Sequence, residues 1–309
     1  MRVGFISMCI GSKSYVDMAI ITIMSYIETN TTEVDWLIFG DTDEELNYIK
    51  EKLKFIQNNK VHIKVLPFVK LNLDFSKYDS YVFVSNFACQ LFCKRIKLID
   101  EYKKDYDLLV FVDLDILFVK DVSTHLLRAY TDDNVWISGH EQISPNDGLT
   151  HLHYINFGFA ILKCCKLRDN EFEHFLEVTR NQEKHYTSQD QTYYNTCYPQ
   201  NKYLTYLDLQ LGEWNYQWIN SNKPDYKIYH YCPMRYMDEI EEDNTPYNIK
   251  GIGGISDLVY DKYAECAERY EKYLSPEFIK NVRINNKRFL NERLKNKKGY
   301  LLRKRYFGL

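Results

Sequence analysis

The chain has 309 residues, 45% of them hydrophobic and 27% charged, with a formal net charge of −3. That length supports one large domain, or a domain with an appendage, that needs no metal or disulfide staple to fold. The 12 Gly and 7 Pro are too few for a collagenous, linker-like or disordered chain, and no apolar run is long enough to span a membrane. The 27 Tyr and 17 Phe suit sugar- or base-stacking surfaces, but beside abundant Asn, Ile and Lys they fit an AT-rich coding sequence better. Eight cysteines (Cys9, Cys89, Cys93, Cys164, Cys165, Cys197, Cys232, Cys266) show no framework spacing and no C-x-x-C pair, so free thiols in a reducing compartment are expected. The first residues, Met-Arg-Val-Gly-Phe-Ile-Ser-Met-Cys-Ile, lack a signal-peptide pattern, and a cytoplasmic location is expected.

In chain order, Val3–Cys9 reads as a first strand, Ile10-Gly-Ser-Lys-Ser as a turn, and Tyr15–Ile27 as a helix. Val34–Phe39 is a second strand. Asp41-Thr-Asp-Glu-Glu then opens a helix running to about Ile56, and Val61–Leu66 is a third strand. Strand, helix, strand, helix, strand is the pattern of a parallel α/β half-domain. Ser85–Tyr102 is the next helix, with Lys94, Arg95 and Lys97 beside its apolar face.

That helix leads into Asp107–Lys120. Leu108 to Val112 run straight into Asp113-Leu114-Asp115, and Ile116 to Val119 follow. A stretch apolar on both faces is expected to form the central strand of a covered sheet. Carboxylates in its middle are costly unless something positive pairs with them. Residues i and i+2 of an extended strand point the same way, so Asp113 and Asp115 converge on one point. Carboxylate oxygens suit Mg²⁺ or Mn²⁺, which makes the pair a candidate metal site. The alternative is a strand end whose acids cap the helix beginning at Asp121-Val-Ser-Thr.

Val135–Ser138 and Ile155–Leu162 read as further strands around a loop holding His140, Glu141, Asp147, His151 and His153. Those spacings match no standard zinc site, and the loop is expected to lie over an acceptor. Asn170–Lys184 and Asp190–Thr196 read as helices and Tyr226–Tyr231 as a last strand. After an acidic loop, Asp238–Asp243, glycines 251, 253 and 254 divide an α/β unit (1–250) from a helical, basic extension (251–309). Open α/β sheets bind ligands at the carboxyl ends of their strands. The Ile10–Tyr15 turn, Asp113/Asp115, and the segment after Leu162 or near His230 therefore converge on one edge, which suggests a nucleotide-type ligand. A departing diphosphate needs a cation on it. Two carboxylates and a neutral imidazole hold Mn(II) with positions left open. His230, apolar-flanked at a strand end, is the candidate imidazole, or else a satisfied buried histidine.

Several pieces taken together resemble the GT-A glycosyltransferases, most closely family 8, the retaining group that includes glycogenin and bacterial lipopolysaccharide galactosyltransferases. They are Tyr15 after the first turn, Val-Asp113-Leu-Asp115-Ile-Leu-Phe-Val, Ile-Asn156-Phe-Gly, Asp190-Gln191 with Asn195, Trp214-Asn-Tyr-Gln217, and His230-Tyr231. The resemblance implies an α/β, Rossmann-like fold: a mostly parallel sheet flanked by helices. It implies Tyr15 packed on uracil, Arg95 as the basic residue ahead of the D-x-D strand, and Mn²⁺ or Mg²⁺ on Asp113, Asp115 and His230. Asn156 would contact the sugar side, Asp190 would fix sugar hydroxyls, and the Gln191 amide oxygen would face the oxocarbenium-like centre. Arg235, in Cys232-Pro-Met-Arg-Tyr-Met, would replace a family lysine on the diphosphate. The implied activity is metal-dependent transfer of a hexose, with retention, from a UDP-sugar to a glycan, glycolipid or protein acceptor. From the residues alone, Asp190-Gln191 also reads as a helix N-cap. Two rivals remain. A sugar-nucleotide pyrophosphorylase shares the α/β plan but uses a Gly-rich, Arg-containing loop, whereas this turn has one Gly. The other is a non-catalytic sugar-nucleotide-binding protein.

Residues 280–309 hold eleven Lys/Arg and one acid, Glu292, so the small net charge hides a basic end on an acidic remainder. Ile279, Val282, Phe289, Leu294 and Leu301 recur at near-helical intervals. This basic amphipathic helix is expected to pack on the acidic remainder or a partner, or to lie on an anionic membrane surface. Nucleic acid is not expected as a partner.

Overall fold

The first 67 residues fold as their apolar patterning predicts. β1 (Val3–Met8), β2 (Val34–Gly40) and β3 (Val61–Pro67) pair in parallel, connected by α1 (Ser14–Thr29) and α2 (Asp43–Leu53). The structure, a computed structural model, describes residues 1–68, 71, 86–141, 155–180, 189–198, 228–230 and 256–284, with 86–89, 140, 141, 156, 180, 189, 192, 229, 230 and 256–261 described through their backbone. α2 begins where it does because Thr42 and Glu45 form a reciprocal cap: Glu45 N–H donates to Thr42 Oγ1 at 3.1 Å and Thr42 N–H to Glu45 Oε2 at 3.3 Å. The same carboxylate accepts Asp41 N–H at 2.8 Å and Gly11 N–H at 3.1 Å, tying the turn after β1 to the end of β2. Gly11 sits at φ 84°, where a side chain would be strained.

Further along come α3 (Asn86–Tyr102), β4 (Leu108–Val112), β5 (Ile116–Phe118), α4 (Ser123–Thr131), β6 (Ile137–Glu141), β7 (Ile155–Lys163), α5 (Glu171–Arg180), α6 (Gln189–Cys197), β8 (Ile228–His230) and α7 (Ser256–Arg269). The main sheet has the order β3-β2-β1-β4-β7-β6, and β7 alone runs against its neighbours. Successive residues feed opposite faces. Phe5, Trp36, Val110 and Phe159 pack with α1, while Ile6, Leu37, Leu109 and Phe111 pack with α3, α5 and α6. The expected α/β class, a mostly parallel sheet flanked by helices, is the one observed.

The stretch expected to form one central strand is two strands in different sheets. β4 ends at Val112, residues 113–115 turn, and β5 pairs antiparallel with β8 in a separate two-stranded sheet. A strand covered on both faces has nowhere to solvate Asp113 and Asp115, so the chain leaves the sheet where they occur. The backbone groups released there find other partners. Ser7 Oγ donates to Val112 O at 2.7 Å and accepts the Trp36 indole N–H at 3.0 Å. The Thr22 hydroxyl of α1 lies 2.9 and 2.8 Å from the Leu114 and Ile116 carbonyl oxygens, and Ser25 Oγ accepts Phe118 N–H at 3.0 Å. Two buried hydroxyls on an otherwise apolar helix face thereby support the turn.

α7 and a helix at 276–284 pack into the α1 side of the core through Tyr263, Ala267, Leu274, Phe278, Ile279 and Val282. Asp17, buried in the first turn of α1, accepts Ser275 N–H at 3.0 Å and the Ser275 hydroxyl, with Lys52 Nζ 3.5 Å away. Tyr273 stacks on Phe55 with ring centroids 3.6 Å apart. Ile279 and Val282, the first two positions of the basic amphipathic stripe, thus face the protein, and the stripe from Phe289 onward lies outside the described residues. No helix among the described residues is long and apolar enough to cross a membrane. Ser275→Ala removes one donor from a buried carboxylate and the side-chain cap on Phe278 N–H. The expected cost is about 1–3 kcal/mol, read as a lower urea midpoint with an unchanged slope. An unshifted midpoint would mean that the Ser275 hydroxyl carries none of the docking energy.

Candidate active site

The parallel strands β1, β2 and β4 end together, placing the Gly11 turn, Asp41 and Asp113 along one edge of the sheet. Because β7 runs the other way, its beginning meets this edge, and Asp113 N–H donates to Gly158 O at 2.8 Å. The residues after Leu162 lie at the opposite edge, where Cys164 N–H bonds Asp107 O at 3.0 Å ahead of β4. The expectation that the segment after Leu162 lines the site is therefore corrected. Strand periodicity carries no information on strand direction.

Arg95 organises the acids of the site. From α3 its Nη2 donates to Asp113 Oδ1 at 2.7 Å and to Phe157 O at 3.1 Å, while Nη1 donates to Asp190 Oδ2 at 2.9 Å. Its guanidinium lies 4.7 Å from the Phe111 ring centroid. A planar fork with several donors matches three acceptors in a way that a lysine does not. Lys94 instead pairs with Asp41 at 2.6 Å, and Lys97 lies over the Phe172 ring. The pairing spans a gradient of exposure: the Asp113 side chain is 37% exposed, that of Arg95 9% and that of Asp190 1%. Burial pushes the Asp190 carboxyl above its ordinary value, and the Arg95 guanidinium beside it opposes that rise. Burial also works against the charge on Arg95, but Asp113 and then Asp190 outweigh it and hold the guanidinium protonated.

Asp190 stands in the first turn of α6, inside the helix, and its Oδ1 accepts the N–H of the adjacent Gln191 at 2.8 Å, so it is not the N-cap that the residues alone suggested. Gln191 reaches back from α6 to the start of β7. Its amide oxygen, placed by the resemblance on the reacting face, accepts Phe157 N–H at 2.9 Å and so holds the backbone next to Asn156. Asn195, which the resemblance grouped with Asp190-Gln191, bonds both polar backbone groups of Ile155. Glu45, which ties the Gly11 turn in place, was legible in hindsight from the Thr-x-x-Glu capping pattern at Thr42.

Tyr15 opens α1 at the carboxyl end of β1 and packs, half-buried, on the α1 side of the core. Asp115 closes the turn between β4 and β5. The β5–β8 register sets His230 opposite Ile116, so the strand pairing brings the backbone of the third expected metal ligand beside the residue after Asp115. Among the described side chains no three His, Cys, Asp or Glu close on a common point. The donor chemistry fits Mn²⁺ or Mg²⁺ nevertheless. Two carboxylates in a three-residue turn and an imidazole on the paired strand are oxygen and nitrogen donors of the right kind. Asn156 is the second residue of β7, at this edge. Arg235 and Trp214–Gln217 lie outside the described residues, as do residues 142–154 of the His-rich loop. The described cysteines are free thiols.

The sequence matches no protein-family model and no curated protein. Solved structures share its fold. The apo form of mouse xyloside xylosyltransferase 1 aligns with a TM-score of 0.52 at 11% identity, over 76% of this chain and 100% of that one. The galactosyltransferase LgtC in complex with donor and acceptor sugar analogues aligns with a TM-score of 0.54 at 16% identity, over 86% of this chain and 95% of that one. At such identities the likeness is one of fold: the chain has the GT-A architecture of these glycosyltransferases.

Proposed function

We propose that the chain is a metal-dependent glycosyltransferase that moves a hexose from a UDP-sugar to a glycan, glycolipid or protein acceptor. The observation that carries this reading is the Asp113–Arg95–Asp190 arrangement at the carboxyl edge of the sheet, beside a turn whose second acid adjoins the His230 strand. Asp113, Asp115 and His230 would hold Mn²⁺ or Mg²⁺, and that ion supplies neutralisation of the charge that develops on a leaving diphosphate. Tyr15 offers its ring to the uracil. Arg95 keeps Asp113 oriented and, with Asp190, gives the sugar side a fixed polar floor that needs no reorganisation during reaction. Asn156 and Asp190 face the sugar hydroxyls in this reading, Gln191 holds the backbone between them, and Arg235 contributes charge to the diphosphate.

Transfer breaks the bond between the anomeric carbon and the diphosphate oxygen and forms one to the acceptor hydroxyl oxygen. The acceptor proton passes to the departing diphosphate when attack comes from the leaving-group side, which retains the anomeric configuration. The basic residues beyond 285 add a peripheral contact with anionic membranes, at a cytoplasmic face. The test is a screen of UDP- and GDP-sugars for Mn²⁺-dependent hydrolysis without acceptor. Release of UDP from one UDP-hexose, stopped by chelation, is the expected result. Absence of hydrolysis for every nucleotide sugar, with no binding of Mn²⁺·UDP, would overturn it.

A further inference from the structure

The start of β7 leaves its ladder. Gly139 of β6 pairs with Ala160, yet the next residue, His140, pairs with Asn156, so Phe157, Gly158 and Phe159 are looped out of the β6–β7 pairing. Such a bulge re-aims the chain and leaves backbone groups in need of other partners. Gly139 permits it: a Cβ there would stand 2.8 Å from both Phe159 O and Ile155 Cγ2. The bulged backbone and the residues leading into it are met by side chains. Asn195 Oδ1 accepts Ile155 N–H at 2.7 Å, and its Nδ2 donates to Ile155 O at 2.9 Å and to Gln191 O at 2.8 Å. Gln191 Oε1 accepts Phe157 N–H, and Arg95 donates to Phe157 O. Residues 191 and 195 are one helical turn apart and share a face of α6. One carboxamide bonded to both polar groups of Ile155 imitates the pair of hydrogen bonds that a neighbouring strand would exchange.

We propose that Asn195 is a positioning residue that acts through the Ile155 backbone to set Asn156 and the bulge that follows it, and that it governs turnover of the sugar donor rather than affinity for the nucleotide. What the bulge presents rests on the sugar-nucleotide reading above; the hydrogen bonds themselves do not. The nucleotide end of the site hangs on other elements, Tyr15 on α1 and the turn after β4. The sugar end depends on where Asn156 and Phe157 stand, and small displacements there cost rate steeply. Asn195→Ala deletes three hydrogen bonds. Asn195→Asp keeps shape and volume but sets a carboxylate oxygen against the Ile155 and Gln191 carbonyl oxygens.

The experiment has two readouts on the full chain. Amide hydrogen exchange over residues 155–160 is expected to speed up by about tenfold or more in both variants, with β1–β3 unchanged. Mn²⁺·UDP affinity is expected to stay within about threefold of wild type, while kcat for donor hydrolysis falls by about tenfold or more. Unchanged exchange at Ile155 and Phe157 would overturn the proposal, and so would UDP affinity falling in step with kcat. Should Asn195→Ala fail to fold, the isosteric Asn195→Asp carries both readouts. Should wild type hydrolyse no UDP-sugar, the donor reading fails, and the exchange measurement alone decides whether Asn195 holds the bulge.

Discussion

Arg95→Met is expected to destabilise the protein by about 3–5 kcal/mol at neutral pH and to abolish donor hydrolysis. The substitution fills much of the space of the side chain but leaves Asp190, 1% exposed, without the cation that faces it at 2.9 Å, and removes the Arg95 donors to Phe157 O and Asp113 as well. The loss has a pH signature. Burial already holds the Asp190 carboxyl above its ordinary value in the folded protein, against the pull of Arg95. A raised folded-state value means that the folded chain binds the proton more tightly than the unfolded chain does. The stability that this supplies is present at low pH and lost as pH rises through the folded value. Without Arg95 the opposing pull disappears and the carboxyl rises further. Urea midpoints at about pH 7 and about pH 5 should therefore show the deficit of the variant shrinking on acidification. A deficit equal at both values would mean that an uncompensated Asp190 is not its source. Arg95→Lys should recover only part of the loss, because one ammonium cannot serve Asp113, Phe157 and Asp190 in their fixed directions.

Asp115→Asn is expected to leave the fold intact and to remove Mn²⁺-dependent UDP release, with a loss of roughly a thousandfold or more in kcat/KM. The side chain keeps its shape and loses the charge that a divalent ion needs. Its neighbours in the turn, Leu114 and Ile116, remain held by Thr22. Two measurements are required: titration of Mn²⁺·UDP by calorimetry, and Mn²⁺-dependent hydrolysis of the donor identified by the screen. Full retained activity with wild-type metal dependence would remove Asp115, and with it the metal assignment of the turn. The two variants are also distinguishable from one another, since Arg95→Met is a stability variant with a pH dependence and Asp115→Asn is a ligand variant with neither.

Local chemistry was legible along the chain wherever it acts over a few residues. The Thr42–Glu45 cap was visible as a helix start, and the bounds of α1, α3 and β3 fell within two residues of expectation. Among Lys94, Arg95 and Lys97 only the family resemblance singled out Arg95; residue type and spacing left all three open, because the choice depends on how α3 is rotated against β4 and β7. The same limit applies to Gln191. Its amide oxygen meets the Phe157 N–H of the bulge, a contact between distant segments that no local pattern announces. The C-terminal helices looked like an extension, yet their apolar faces complete the α1 layer and Ser275 reaches a buried Asp17 more than 250 positions earlier.

By itself the sequence determined which segments become strands and helices, and that a pair of acids interrupts the most apolar of them. Tertiary structure alone decided that the acids end a strand instead of riding in its middle, that β7 brings its first residues to the site instead of its last, and that Arg95 joins the turn to α6. The physical reason is range. Periodicity, capping and turn chemistry are settled between near neighbours, whereas the direction of a strand and the partner of a buried charge are settled by whichever distant segment satisfies the most hydrogen bonds and covers the most apolar surface.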